Sequence, residues 1–345
     1  MKRKHVYILA IGLVIIISLG FTAFYLINNY IKKSSTNTPV YVTLAGHIED
    51  GEYYSVCKFY PQYRNMLLEF AELLKSYYVP FNLQIDYAFF EGAASCETPA
   101  MQEETNGTNT IDYLAKYCNF EIDPHQGGGW EEPGENNYAD VRYLGGEVTT
   151  EITETAGGVV WDQEEQFTRF NEGESGYLHP EFTWYPEILT MGVHTNHHLG
   201  DFSLDDLTAG IWKPKGFGDD FFTHDEEASM VYIGPGGHHS DWFGNREWPF
   251  DSVANYVEVL VDYLEEGKIP RGKMYTVTLA VPQKIIFNET NHVKLTDQLD
   301  QLAPLVEEGK VIYEPYSRIV EIWHEEFKAE PNVFTFDEIN TSDYD

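Results

Sequence analysis

The stretch Val40-Tyr41-Val42-Thr43-Leu44-Ala45-Gly46-His47-Ile48-Glu49-Asp50-Gly51 decides both the fold class and the candidate site. Its first six residues are β-branched, aromatic or aliphatic, a composition that predicts a buried strand. Gly46 is expected to end this strand, and one imidazole and two carboxylates follow it. Charged groups crowded at a strand end are costly, but a divalent metal site with an adjacent base requires them.

Short apolar strands alternate with amphipathic helices along the rest of the chain, and this alternation favours a parallel α/β architecture. Seven or eight such units would fit a (β/α) barrel of parallel strands. A doubly wound open sheet is the alternative, because no Gly-rich phosphate loop decides between the two. Residues 171–250 break the rhythm and are predicted as long loops around one or two strands. The predicted strands are 40–45, 81–85, one that ends before His125, a short one within 157–161, 188–191, 230–233, 274–281 and 311–313.

The second group of His and carboxylate side chains is Glu121-Ile122-Asp123-Pro124-His125, at the end of another short apolar strand. In a (β/α) barrel the chemistry sits at the C-terminal ends of the strands. The two groups are therefore expected to share one mouth.

The N-terminal region predicts membrane attachment. Residues Val6 to Ile27 contain no charged side chain, and this length can cross a bilayer as a helix. A cleaved signal peptide is the alternative, although the apolar stretch is long for one. We predict an anchor at 1–33, a linker at 34–39, the barrel at 40–328 and an acidic tail at 329–345. The protein would then be a single-pass protein of the cell membrane with its catalytic domain outside.

Charge and cysteine content argue against a nucleic-acid partner and against a metal site built from cysteines. The chain has 22 Lys and Arg against 56 Asp and Glu, a net charge of −34, so phosphates are repelled and nucleic acid is excluded as a partner. Cys57, Cys96 and Cys118 lack a C-x-x-C spacing, which argues against a cysteine metal site. One disulfide is possible in an exported domain, and the sequence leaves its pairing open.

Both motifs resemble those of the polysaccharide deacetylases. Ile48-Glu49-Asp50-Gly51 is similar to the Phe-Asp-Asp-Gly run that ends that family's first strand. Glu121 to His125 is similar to the Glu-Ile-Gly-Asn-His run that ends its third strand. The resemblance covers mainly residues 40–145. It implies a distorted (β/α) barrel and the metal-dependent removal of N- or O-acetyl groups from sugars. It also implies that Glu49 is the general base and that Asp50 binds the metal.

The chain departs from this family at one ligand. The family's second histidine would fall four residues beyond His125, where this chain has Gly129. His47 could supply the missing nitrogen. The predicted ligands of one divalent ion, with zinc expected, are therefore His47, Asp50 and His125. Asp123, in the second motif, is predicted to contact the carbohydrate substrate.

Later loops supply the remaining candidates. The resemblance implies a late histidine as general acid, and His238 and His239, in the Gly-rich segment 234–242, are the candidates for it. Trp130 and Trp242 lie in Gly-rich loops and are predicted to stack on a sugar, whose C–H faces are apolar. A second histidine-rich loop spans 194–198.

Three functions remain open at this point. The first is a metal-dependent carbohydrate deacetylase at the outer cell surface. The second is a glycoside hydrolase on a related barrel, in which Glu49 or Asp50 pairs with Asp123 or Asp241 across the glycosidic bond. The third is a surface sugar-binding protein that has lost catalysis.

Overall fold

The structure is a computed structural model. The predicted anchor at 1–33 lies outside the residues it describes. Among the described residues, no helix combines the length and the apolar character that a membrane crossing needs. The described ranges are 38–49, 51, 53–126, 137–157, 163–191, 207–237 and 250–337.

Helices and strands alternate over most of this region. The strands are β1 Val40–Ile48, β2 Phe81–Ile85, β3 Phe120–Pro124, β4 Thr155–Gly157, β5 Glu174–Ser175, β6 Thr183–Trp184, β7 Ile188–Thr190, β8 Ala209–Trp212, β9 Val231–Pro235, β10 Tyr275–Ala280, β11 Val311–Tyr313 and β12 Asn332–Phe334. The helices are α1 Tyr60–Tyr77, α2 Tyr87–Cys96, α3 Pro99–Glu104, α4 Thr110–Tyr117, α5 Tyr138–Val148, α6 Gln163–Glu172, α7 Val253–Glu266, α8 Gln283–Ile286, α9 His292–Glu307 and α10 Tyr316–Glu325.

The first sheet is entirely parallel and has β1 near its centre. Its order is β10-β1-β2-β3, with β11 also paired to β1. Successive side chains of a strand point to opposite faces. Val40, Val42 and Leu44 pack into the large core under the helices, whereas Tyr41 and Ala45 belong to a second core on the other face. The odd-numbered residues of β1 therefore face the interior between the sheets.

The second sheet closes the fold into a barrel-like arrangement. Its order is β12-β8-β9-β7-β4, in which β8 runs antiparallel to both β9 and β12. At one seam a parallel bridge joins Ile122 to Ile152, beside the edges of β3 and β4. At the other seam the Thr276 hydroxyl of β10 lies 2.7 Å from the Gly210 carbonyl oxygen and 2.8 Å from the Gly234 carbonyl oxygen.

Helix α10 fills the space between the two sheets. Its Tyr316, Ile319 and Trp323 are buried and form one cluster with β1, β7, β8 and β9. The interior is thus a packed core at this end. Buried polar groups lie beside this cluster: the Ser317 amide donates to Glu121 of β3 at 3.1 Å, and the Thr278 and Tyr316 hydroxyls are 2.8 Å apart.

The predicted α/β class with a parallel central sheet is confirmed, and several bounds are corrected. β2 and β11 span the predicted residues, 81–85 and 311–313. Gly46 does not end β1, which continues to Ile48 and pairs Gly46 with Leu83. A Cβ at Gly46 would lie 2.6 Å from the Val281 carbonyl oxygen, so glycine permits a close approach here.

The structure also differs from the prediction in the strand content of 171–250 and in the packing of the C-terminal segment. The segment 171–250, expected to hold one or two strands, contributes β5 to β9, and β8 is antiparallel. Packing also continues past residue 328, where the tail was predicted to begin. β12 pairs with β8, and Phe336 is buried.

The cysteine pairing is resolved by the fold. Cys57, in the loop after β1, is bonded to Cys96, the last residue of α2, with 4.8 Å between their Cα atoms. Cys118 is buried and free. The bond ties the loop that follows the first motif to the helix that follows β2.

Candidate metal centre

The candidate site forms where β1 and β3 end. Strand register places His47 opposite Gln84 of β2, which is opposite Asp123 of β3. Because β1 continues past Gly46, its inward-facing odd series runs on through His47 to Glu49. Alternation along β3 likewise puts His125 on the face that carries Asp123. The side chains of both motifs thus meet above the middle strand.

Three side chains converge there. The Nε2 atom of His125 lies 2.7 Å from an Oε of Glu49. The rings of His47 and His125 stack with centroids 4.0 Å apart and an interplanar angle of 30°. One ligand atom from each of the three residues lies within 4.8 Å of the others. The His125 side chain is 3% exposed and that of Glu49 is 23% exposed, so the cluster is reachable from one side.

The donor set fits a divalent metal ion. Two imidazoles and one carboxylate form a three-residue set typical of catalytic zinc sites, which keep a further position open. Zinc–ligand bonds of about 2.0–2.2 Å set neighbouring ligand atoms about 3.4 Å apart, so small side-chain rotations would bring these atoms into place. Nδ1 of His125 is buried and has no hydrogen-bond partner among the described residues. The ion would bind the other ring nitrogen, Nε2, which faces the Glu49 carboxylate at 2.7 Å.

Aromatic residues fix the orientation of His125. The ring of Tyr138, in α5, meets His125 edge-on at 6.1 Å and stacks on Trp184 at 5.3 Å. Its hydroxyl donates to the Gly157 carbonyl oxygen at 2.7 Å. Burial raises the pKa of this phenol, so it remains a neutral donor. His125 is therefore held between a fixed edge and the face of His47.

A buried pair of carboxyl groups lies below the cluster. The amide nitrogen of Asn82 donates to Glu121 at 2.8 Å and to Asp123 at 2.6 Å. Asp123 also accepts from the Thr153 hydroxyl and the Thr155 amide, both at 2.7 Å. Burial raises the pKa of both carboxyl groups, and the neighbouring Glu121 raises that of Asp123 further. Burial and the repulsion between the two carboxylates therefore favour the protonated form of these groups.

This environment bears on the role predicted for Asp123. Its side chain is completely buried, and both oxygens already accept hydrogen bonds. A carboxyl group without exposed surface does not reach a ligand at the mouth. The burial argues against the predicted substrate contact and favours a structural role beneath the ligands.

Gln84, a polar residue of β2 that faces the site, was not predicted from the sequence. Its Nε2 donates to Asn82 at 3.0 Å, while its Oε1 is buried and has no partner among the described residues. A Cβ at Gly157 would lie 2.4 Å from this amide, so glycine leaves room for it. The signal was present in Phe81-Asn82-Leu83-Gln84-Ile85, where polar residues alternate with apolar ones and mark a polar inner face.

The structure brings together His47, Glu49 and His125 from the predicted set, with Asp123 beneath them. The other predicted site residues stay predictions because they lie outside the described residues. They are the metal ligand Asp50, the acid candidates His238 and His239, and the sugar-stacking residues Trp130 and Trp242.

No protein-family model matches the chain, and no curated protein matches it. A 4-alpha-glucanotransferase from Thermococcus litoralis is similar in structure with a TM-score of 0.44 and 12% identity, over 86% of this chain and 41% of that one. A probable polysaccharide deacetylase from Pseudomonas aeruginosa has a TM-score of 0.46 and 14% identity, over 83% of this chain and 91% of that one. The chain spans less than half of the glucanotransferase, and likenesses this low assign no activity.

Proposed function

We propose that the protein is a metal-dependent hydrolase that removes acetyl groups from carbohydrate. The observation that carries this proposal is the convergence of His47, Glu49 and His125 at the ends of β1 and β3. The similarity of their two motifs to those of the polysaccharide deacetylases suggests the acetylated sugar. A divalent ion at such a site polarises a carbonyl group and makes water a better nucleophile at neutral pH.

The proposal exchanges the roles that the motif resemblance implies for Glu49 and Asp50. Glu49 lies within hydrogen-bond distance of His125, in the group that could hold the ion. We therefore assign Glu49 to the metal, together with His47 and His125. Asp50 becomes the candidate base, and His238 or His239 the candidate acid.

The glycoside hydrolase is the weaker alternative. It needs two carboxyl groups on either side of the glycosidic bond, both within reach of the sugar. Burial of Asp123 removes one of the two partners considered for Glu49 or Asp50. The other, Asp241, lies outside the described residues.

Acetate release tests the reaction class. The purified protein is expected to release acetate from acetylated chito-oligosaccharide or acetylated xylan. Removing metal with a chelator should abolish the release, and zinc should restore it, because the ion supplies the polarisation. Glu49→Gln should lose both zinc and turnover, whereas Asp50→Asn should keep zinc and lose turnover.

The outcomes separate the three functions. Cleavage of glycosidic bonds that survives the chelator would support the glycoside hydrolase. Sugar binding with no acetate release from either substrate would support the non-catalytic protein. Zinc retained by Glu49→Gln but lost by Asp50→Asn would restore the original assignment of the two acids.

We also propose that the domain lies outside the cell, attached to the membrane through the predicted N-terminal helix. The Cys57–Cys96 bond supports this location, because disulfides persist in oxidising compartments. Peptide mapping of protein isolated from cells, with free thiols blocked at lysis, should find Cys57 and Cys96 joined. Two free thiols would count against export.

A further inference from the structure

We propose that Gln283 is a positioning residue for Glu49 and thereby sets the metal affinity of the site; this inference rests on the proposed metal centre. Gln283 is the first residue of α8, far from Glu49 in sequence. Its Nε2 donates to the Glu49 carbonyl oxygen at 2.9 Å. Its Oε1 lies 3.4 Å from the Glu49 amide nitrogen.

The pairing fixes which way the side-chain amide points. A backbone carbonyl oxygen can only accept and a backbone N–H can only donate. Nε2 must therefore face the Glu49 carbonyl, and Oε1 must face its N–H. The Gln283 side chain thus contacts both the N–H and the carbonyl group of Glu49, the two backbone groups that a neighbouring strand would otherwise pair with. β1 ends at Ile48, so this contact begins where the strand ends.

A second residue holds the amide in this orientation. The Tyr54 hydroxyl donates to Oε1 of Gln283 at 2.8 Å. Tyr54 is only 4% exposed, and its ring packs against Tyr63, Phe89 and Phe287 at centroid distances of 4.7 to 5.8 Å. The hydroxyl donor is therefore held in place by an aromatic core.

The consequence concerns Glu49 alone among the three proposed ligands. His47 lies within β1, and the ring of His125 is held by Tyr138. Glu49 lies one residue past the strand, and the Gln283 amide ties its backbone to α8. Partners that orient ligands typically change metal affinity by about 10–100-fold when removed. We expect an effect near the lower end, because Gln283 acts through the backbone of Glu49.

Two variants and a control test this role with Co²⁺ as the probe. Gln283→Ala removes both backbone contacts, and Tyr54→Phe removes only the hydroxyl while keeping the ring. Gln301→Ala is the matched control, because that glutamine donates to Glu258 at the exposed surface. Co²⁺ affinity is followed by titration, its coordination by the visible absorption spectrum, and the Glu49 amide by hydrogen exchange in metal-free protein.

The Gln283→Ala variant should bind Co²⁺ about tenfold more weakly, with an altered visible spectrum and faster exchange at the Glu49 amide. Tyr54→Phe should change the Co²⁺ affinity, the spectrum and the exchange rate in the same directions but by less. Gln301→Ala should change none of the three. A merely structural role would lower the melting temperature and leave the spectrum of the bound ion unchanged.

Failure of this inference is distinct from failure of the proposed function. If wild-type protein binds Co²⁺ and Gln283→Ala binds it equally well with the same spectrum, Gln283 does not position Glu49. If wild-type protein binds no Co²⁺, the metal centre itself is wrong, and the positioning role falls with it.

Discussion

His125→Ala is expected to weaken zinc binding by at least about 100-fold, the upper end of the effect of removing a group that only orients a ligand. His125 contributes one of two imidazoles in a set of three residues, and a ligand lost from so small a set is not replaced by alanine. His47→Ala should have a comparable effect, because His47 offers the second imidazole of the same three-residue set. Competition against a chromophoric chelator measures the affinity of each variant.

His324→Ala is the matched control for these variants. His324 is exposed on α10 and is not among the three residues that could hold the ion, so the same chemical change should leave zinc affinity unaltered. Melting temperatures of the metal-free proteins show whether each variant is folded. A folded His125→Ala protein with wild-type zinc affinity would remove His125 from the site.

The second large effect concerns the disulfide. Replacing Cys57 and Cys96 together by serine should lower the free energy of unfolding by about 4 kcal/mol in the loop-entropy estimate. The bond spans 39 residues of sequence, and opening it restores that loop's freedom to the unfolded chain. Urea unfolding under non-reducing conditions measures the difference.

Reductant provides the internal control for this prediction. Wild-type protein treated with reductant should fall toward the stability of the double variant, and the double variant should not respond. Cys118→Ala should still respond, because Cys118 is free. If reductant leaves the free energy of unfolding of the wild-type protein unchanged, Cys57 and Cys96 are not bonded.

The strands with dense β-branched and aromatic residues could be predicted from sequence, because local composition and burial agree there. Residues 40–45 of β1 are the clearest case, with all six buried. β8 could not be predicted in this way. It is four residues long, and its Gly210 has a φ of 107° with the Asn332 carbonyl oxygen 2.3 Å from where a Cβ would lie. Its pairing depends on a contact with the far end of the chain.

The candidate site was predictable in part for a similar reason. His47 and His125 could be found because each lies at or near the end of a short strand that the sequence predicts. The position of Glu49 depends on whether β1 ends at Gly46 or continues through it. From sequence alone a glycine predicts a strand end, whereas here it permits the close approach of the Val281 backbone. Gln283 reaches Glu49 across more than 230 residues, a contact that no local pattern reports.

Anomalous diffraction from crystals grown with zinc tests the central claim most directly. Data collected on either side of the zinc absorption edge locate the ion without reference to the fold. The account predicts a single strong peak bounded by His47, Glu49 and His125, at about 2.0–2.2 Å from one atom of each. A peak at any other cluster of side chains, with His125 still hydrogen-bonded to Glu49 and no density among the three residues, would contradict it.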